Sequence, residues 1–151
     1  MTSSFGYLAF AVLALVACKP AALPTDPRVE GAWVRPAKAG ATSAAYFTVD
    51  QQGDADDRLV SVTTDVGDAS LHRSSNENGI ARMRPIEGGI AVARKATVAL
   101  RPGGDHVMVM NLNRDLNAGD QVALRLRFEK AGERTATAMV GNNGGAAHGG
   151  H

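Results

Sequence analysis

The histidines and methionines of this chain fall where their chemistry can combine. Its four histidines are His72, His106, His148 and His151, and three of its five methionines, Met83, Met108 and Met110, lie close in sequence to the first pair. The densest run is His106-Val107-Met108-Val109-Met110. Alternation with valine puts His106, Met108 and Met110 on one face of a strand, because successive strand side chains point to opposite faces. Imidazole and thioether together form a soft ligand set, which selects copper, Cu(I) above all, over cations that seek oxygen. Two such ligands at i and i+2 of one strand converge on an ion without a flexible loop between them.

The elements that must position these side chains read as strands. Val122, Leu124, Leu126 and Phe128 alternate with Ala123, Arg125, Arg127 and Glu129. The turn Lys130-Ala131-Gly132-Glu133 leads into 135–140, where alternation resumes, so this segment is expected to be a hairpin with one buried face. Further strands are expected at about 29–34, 43–50, 58–64, 68–73, 80–85, 95–100 and 105–111. Turn-rich pieces separate them, among them Gln51-Gln52-Gly53-Asp54, Asn76-Glu77-Asn78-Gly79 and Arg101-Pro102-Gly103-Gly104. No long window carries a 3.6-residue period. Many short strands with regular turns imply a single all-β domain, a β-sandwich or a small Greek-key barrel.

Residues 1–17 carry no charge and contain the apolar run from Leu8 to Ala17, too short to span a bilayer and of the length of a signal-peptide core. The run ends in Leu15-Val16-Ala17-Cys18, which resembles a bacterial lipobox. Residues 1–17 are therefore expected to be a lipoprotein-type signal peptide, Cys18 the lipidated first residue of the mature protein, and 18–28 a tether. No Lys or Arg precedes Lys19, which leaves a plain secretory signal or a retained apolar anchor as alternatives. The resemblance to bacterial lipoproteins implies periplasmic exposure, and Lys19 in place of an aspartate after the cysteine implies the outer membrane. Cys18 is the only cysteine, so the folded domain, about 29–140, has no internal disulfide and is held by its core. Roughly 110 residues are enough for that. A formal charge of +1 implies no broad basic field for nucleic acid. The Gly-rich segment 141–151 carries His148 and His151 in a matrix that packs no core. It is expected to be a flexible arm with a second, Cu(II) site, because imidazole suits Cu(II), or else a solvated end.

His72, Met83 and His106-Val107-Met108, in that order and spacing, resemble the motif of the periplasmic copper chaperones known as the PCuAC family. Flanking segments resemble the same family: Ala32-Trp33-Val34-Arg35-Pro36, Ala44-Ala45-Tyr46-Phe47, Met83-Arg84-Pro85, Leu100-Arg101-Pro102-Gly103-Gly104 and Leu116-Asn117-Ala118-Gly119-Asp120. The likeness covers about 29–140, the whole folded domain. It implies a cupredoxin-like Greek-key β domain that holds Cu(I) through two histidines and two methionines, here His72, Met83, His106 and Met108. It also implies delivery of copper to an accepting protein, cytochrome c oxidase or one of its assembly factors.

The remaining features read as scaffold. Met110 shares the face of His106 and Met108 but lies about 7 Å further along the strand, so it is expected to pack beneath the site. Met139 is expected in the core, and Trp33 as an aromatic core plug with Arg35 paired to a carboxylate. Asp54-Ala55-Asp56-Asp57 lacks the Gly and closing Glu of a calcium loop and reads as a solvated turn. Ser70 and Ser74 flank His72, but no Gly-x-Ser-x-Gly elbow exists, so the expected function is not enzymatic. Two other functions compete with a chaperone. An electron-transfer cupredoxin is opposed by the need of a blue-copper centre for a thiolate, since the only thiol is Cys18. A metal-free structural or adhesive lipoprotein module is distinguished by whether copper binds at all.

Overall fold

The computed structural model describes residues 27–141, and every regular element among them is a strand. In chain order they are β1 (Arg28–Val34), β2 (Ser43–Gln51), β3 (Asp57–Thr64), β4 (Asp68–Glu77), β5 (Ile80–Pro85), β6 (Ile90–Val92), β7 (Ala96–Leu100), β8 (Asp105–Met110), β9 (Gln121–Phe128) and β10 (Gly132–Val140). Residues 1–26, with the expected signal peptide and Cys18, and residues 142–151, with His148 and His151, lie outside the described residues.

Hydrogen bonding links the strands into one sheet in the order β5-β4-β8-β2-β1-β10-β9-β3-β6, with β7 pairing the second half of β2. The pairs are antiparallel except β1 with β10. A ten-stranded twisted sheet with one apolar face buries that face only by curling on itself. It does so around a single core contributed from across the order: Val34, Phe47 and Val49 from β1 and β2, Val107 and Val109 from β8, and Leu124, Leu126 and Phe128 from β9. This is the expected cupredoxin-like all-β domain, realised as an open, curled sheet.

Strand bounds depart from the pattern reading where alternation is silent. β4 continues to Glu77 through Ser74-Ser75-Asn76, which no hydrophobic period announces. Its cause is the turn: Asn78 and Gly79 have φ of 56° and 80°, the left-handed pair that closes a two-residue hairpin, and pairing runs to Glu77↔Ile80. β6, three residues long, is too short to show a period and is recruited by pairing with Asp57, Arg58 and Leu59. β10 starts at Gly132, where φ of 78° lets the hairpin close against Phe128.

Buried polar and exposed apolar residues bring further corrections. Asp57 is not part of a solvated turn. Its carboxylate is buried and accepts the backbone N–H groups of Arg58, Lys130 and Ala131, fastening β3 to the β9–β10 turn. Asp54 and Asp56 do face solvent, paired with Lys95 and Arg94. Met139 is 44% exposed, because Ala138 and Val140 take the inward positions of β10. Trp33 is buried but lies outside the core cluster, on the opposite face from Val34 and stacked on Tyr46 with ring centroids 4.6 Å apart. Arg35 meets the Tyr46 ring, 5.6 Å from its centroid, where a carboxylate was expected.

Candidate metal site

β8 has two faces with different tasks. Val107 and Val109 are fully buried in the core, which turns His106, Met108 and Met110 to the other face. β4 lies beside it in antiparallel register with His72↔His106, Ser70↔Met108 and Asp68↔Met110. Directly opposed residues on one face have Cβ atoms about 5 Å apart, so this register makes the two histidines neighbours. Two features hold it. At one end Gly67 passes so close to β8 that a Cβ there would sit 2.5 Å from the carbonyl oxygen of Met110. At the other, Arg73 and Asp105, opposed in the next pair along, form a two-pronged bond with Nε–Oδ1 of 2.6 Å and Nη2–Oδ2 of 2.9 Å. That contact, hydrogen bonding first and charge second, raises the pKa of Arg73 above its usual value.

The imidazoles of His72 and His106 are stacked, 25° apart in plane, with centroids separated by 6.1 Å. Each ring is steered through Nδ1. His106 Nδ1 lies 3.1 Å from the carbonyl oxygen of Gly104, which can only accept, so Nδ1 is the donor of this contact and Nε2 is the nitrogen left over for another partner. His72 Nδ1 lies 3.3 Å from Ser70 Oγ and 3.4 Å from the Ser70 carbonyl oxygen. Backbone partners of this kind orient histidine ligands and select the nitrogen that meets a metal.

Met83 arrives from β5. Its register partner Ser74 lies two residues beyond His72, placing Met83 on the histidine face. Met83, His106 and Met108 line one cleft of about 200 Å³ with Arg35, Pro36, Thr42, Ser43 and Ala44. The structure thus brings His106, Met83 and Met108 to one opening, with His72 beside His106. Met83 is 52% exposed. Met110 shares the face but does not line the cleft; its neighbour across the strands is Asp68. Among the described residues no three His, Cys, Asp or Glu side chains converge, so a metal on this face would depend on sulfur.

Sequence reasoning missed two neighbours of the site. Tyr46 packs against His106 with centroids 6.2 Å apart, and Arg35 lies over Tyr46 and lines the cleft. With the pairing Trp33↔Tyr46, an aromatic and imidazole row runs Trp33, Tyr46, His106, His72 across β1, β2, β8 and β4. Alternation in Ala44-Ala45-Tyr46-Phe47 places Tyr46 on the face opposite Phe47, but only the pairing of β2 with β8 places it beside His106.

A family model described as "Putative lipoprotein LpqE-like" matches residues 28–140, the whole of the strand domain. The chain belongs to the LpqE-like lipoprotein family. A relative from Leifsonia xyli subsp. xyli, described as a putative lipoprotein, is 31% identical over 120 residues, covering 79% of this chain and 72% of that protein. Among solved structures, the copper-bound PCuAC domain from PmoF2 matches with a TM-score of 0.62 and 26% identity, over 76% of this chain and 92% of that domain. The Cu(I) form of DR1885 from Deinococcus radiodurans matches with a TM-score of 0.59 and 25% identity, over 78% of this chain and 82% of that one. This LpqE-like domain therefore has the PCuAC fold, as the motif resemblance implied. Membership of a lipoprotein family also fits an exported, membrane-anchored protein.

Proposed function

We propose that this LpqE-like protein is a copper chaperone: it binds one Cu(I) through His72, Met83, His106 and Met108 and passes it to a copper-requiring partner. The observation that carries the reading is one solvent-open cleft lined by the His106 imidazole and the thioethers of Met83 and Met108, with the His72 ring 6.1 Å from His106. Copper-bound forms among its structural relatives point to the same ion. Uncharged nitrogen and sulfur donors in a site this accessible suit uptake and release of Cu(I) as cargo. The likeness to copper-binding PCuAC domains supports the reading of a carrier rather than an enzyme. Blue-copper electron transfer would need a thiolate, and the only cysteine is Cys18.

Cys18 is read as a lipid anchor that holds the domain in the periplasm, at the outer membrane. The recipient is read as cytochrome c oxidase or one of its assembly factors, on the strength of the family motif. His148 and His151 are read as a Cu(II)-capturing arm that feeds the soft site after reduction.

X-ray absorption of the protein loaded with one Cu(I) tests the central claim. About two sulfur and two nitrogen donors are expected around the metal. A shell of nitrogen and oxygen alone would sink the assignment. The same titration with His148 and His151 replaced by alanine should keep the Cu(I) site and lose a Cu(II) site; an unchanged Cu(II) stoichiometry would reduce the tail to a solvated end.

A further inference from the structure

The cleft beside the histidine pair contains one fixed charge. Of the residues that line it, Arg35 alone carries a permanent charge, and no carboxylate is among them. The backbone of Arg35 is tied to β2. Its N–H donates to the Ala44 carbonyl oxygen at 3.0 Å, and its own carbonyl oxygen accepts from Ser43 Oγ at 2.6 Å. Its guanidinium lies 5.6 Å from the centroid of Tyr46, whose ring packs on His106.

Guanidinium is permanently charged, whereas thioether and neutral imidazole donors bring no charge of their own. An ion at Met83, His106 and Met108 would keep its full formal charge beside a fixed cation, with no anion lining the same cleft. Repulsion from Arg35 is then twice as large for a divalent ion as for a monovalent one.

We propose that Arg35 is a specificity-determining residue that biases the cleft toward a soft monovalent ion and against divalent ions, Cu(II) included. The inference rests on the ligand assignment above and adds to it a residue that touches no metal. With solvent screening at an exposed side chain, one unit of charge alters a binding constant by about threefold to tenfold.

Two substitutions separate charge from packing: Arg35→Gln removes the charge, and Arg35→Lys keeps it. Both are made in the full chain with His148→Ala and His151→Ala, so that the tail offers no competing imidazole. Cu(I) and Cu(II) binding constants are measured by chelator competition. Arg35→Gln is expected to lower the Cu(I)-to-Cu(II) ratio by about threefold to tenfold, and Arg35→Lys to preserve it. The difference should narrow as salt rises from about 20 mM to about 500 mM. The midpoint potential of the bound copper reads the same ratio independently and should fall in Arg35→Gln. An unchanged ratio in Arg35→Gln overturns the proposal. So does an equal fall in both variants, which would make Arg35 a packing residue for Tyr46. Failure of the parent protein to bind Cu(I) would remove the ligand assignment first, and this inference with it.

Discussion

The β9–β10 and β4–β5 hairpins share a geometry and are held by different forces. In β9 the inward residues Val122, Leu124, Leu126 and Phe128 are all buried, opposite Ala136 and Ala138 of β10, and the register runs unbroken from Gly132↔Phe128 to Met139↔Gln121. In β5 every residue is exposed. That strand is fixed by the Asn78-Gly79 turn, by ladder bonds to β4, and by Glu77 pairing with Arg82 at 3.2 Å and Arg84 at 3.6 Å. Exposed ion pairs contribute about 0 to 1 kcal/mol each, far less than a buried leucine. Met83 sits on the exposed strand, whereas His106 and Met108 sit on β8, whose other face is in the core.

Breaking the buried side should produce the largest effect. Leu124→Ala is expected to cost about 2–5 kcal/mol of stability, because a fully buried side chain in β9 leaves a cavity that strands on both sides cannot fill. Urea unfolding measures it, and a loss below about 1 kcal/mol would mean that β9 is not the anchor.

The site itself should respond in the opposite sense. Met108→Leu, nearly isosteric, is expected to weaken Cu(I) binding markedly while leaving the unfolding free energy of the apo protein within about 1.5 kcal/mol of the parent. Chelator competition and urea unfolding on the same variant decide it: unchanged Cu(I) affinity would remove Met108 from the ligand set, and a large stability loss would show that this face is part of the scaffold.

The smallest effect concerns the segment that follows the cleft residue Pro36. Asp115 accepts from the Ala39 N–H at 2.8 Å and from Lys38 Nζ at 3.1 Å, and these contacts, the backbone bond first, hold its pKa below the usual carboxylate value. A carboxyl depressed in the folded state stabilises above its unfolded pKa, and that contribution disappears as pH falls through the folded value. The parent should therefore lose a small increment of stability below about pH 4 that Asp115→Asn lacks at every pH. Superimposable stability profiles for the two proteins through that range would show that the carboxylate contributes nothing to holding 37–41.

How much could be read from sequence depended on which physical signal each element carries. β9 was legible because four inward apolar residues alternate without interruption. The second half of β4 was not, since Ser74-Ser75-Asn76-Glu77 buries little and is a strand because its turn and partner make it one. β6 is too short for its inward Ile90 and Val92 to show a period, and the buried Asp57 is defined by its bonds to backbone N–H groups distant in sequence. At the site, the motif pointed to four residues, but nothing in it placed Tyr46 against His106 or Arg35 at the cleft.

By itself the sequence determined the all-β class, the inward valines of β8, and hence that His106, Met108 and Met110 share a face. These follow from the two-residue period of a strand, a local property of the chain. Only the tertiary structure decided which residues face His106 across the sheet, because register is set by pairs distant in sequence. Gly67 against Met110 and Arg73 with Asp105 fix that register, and a slip of one residue would turn His72 to the opposite face.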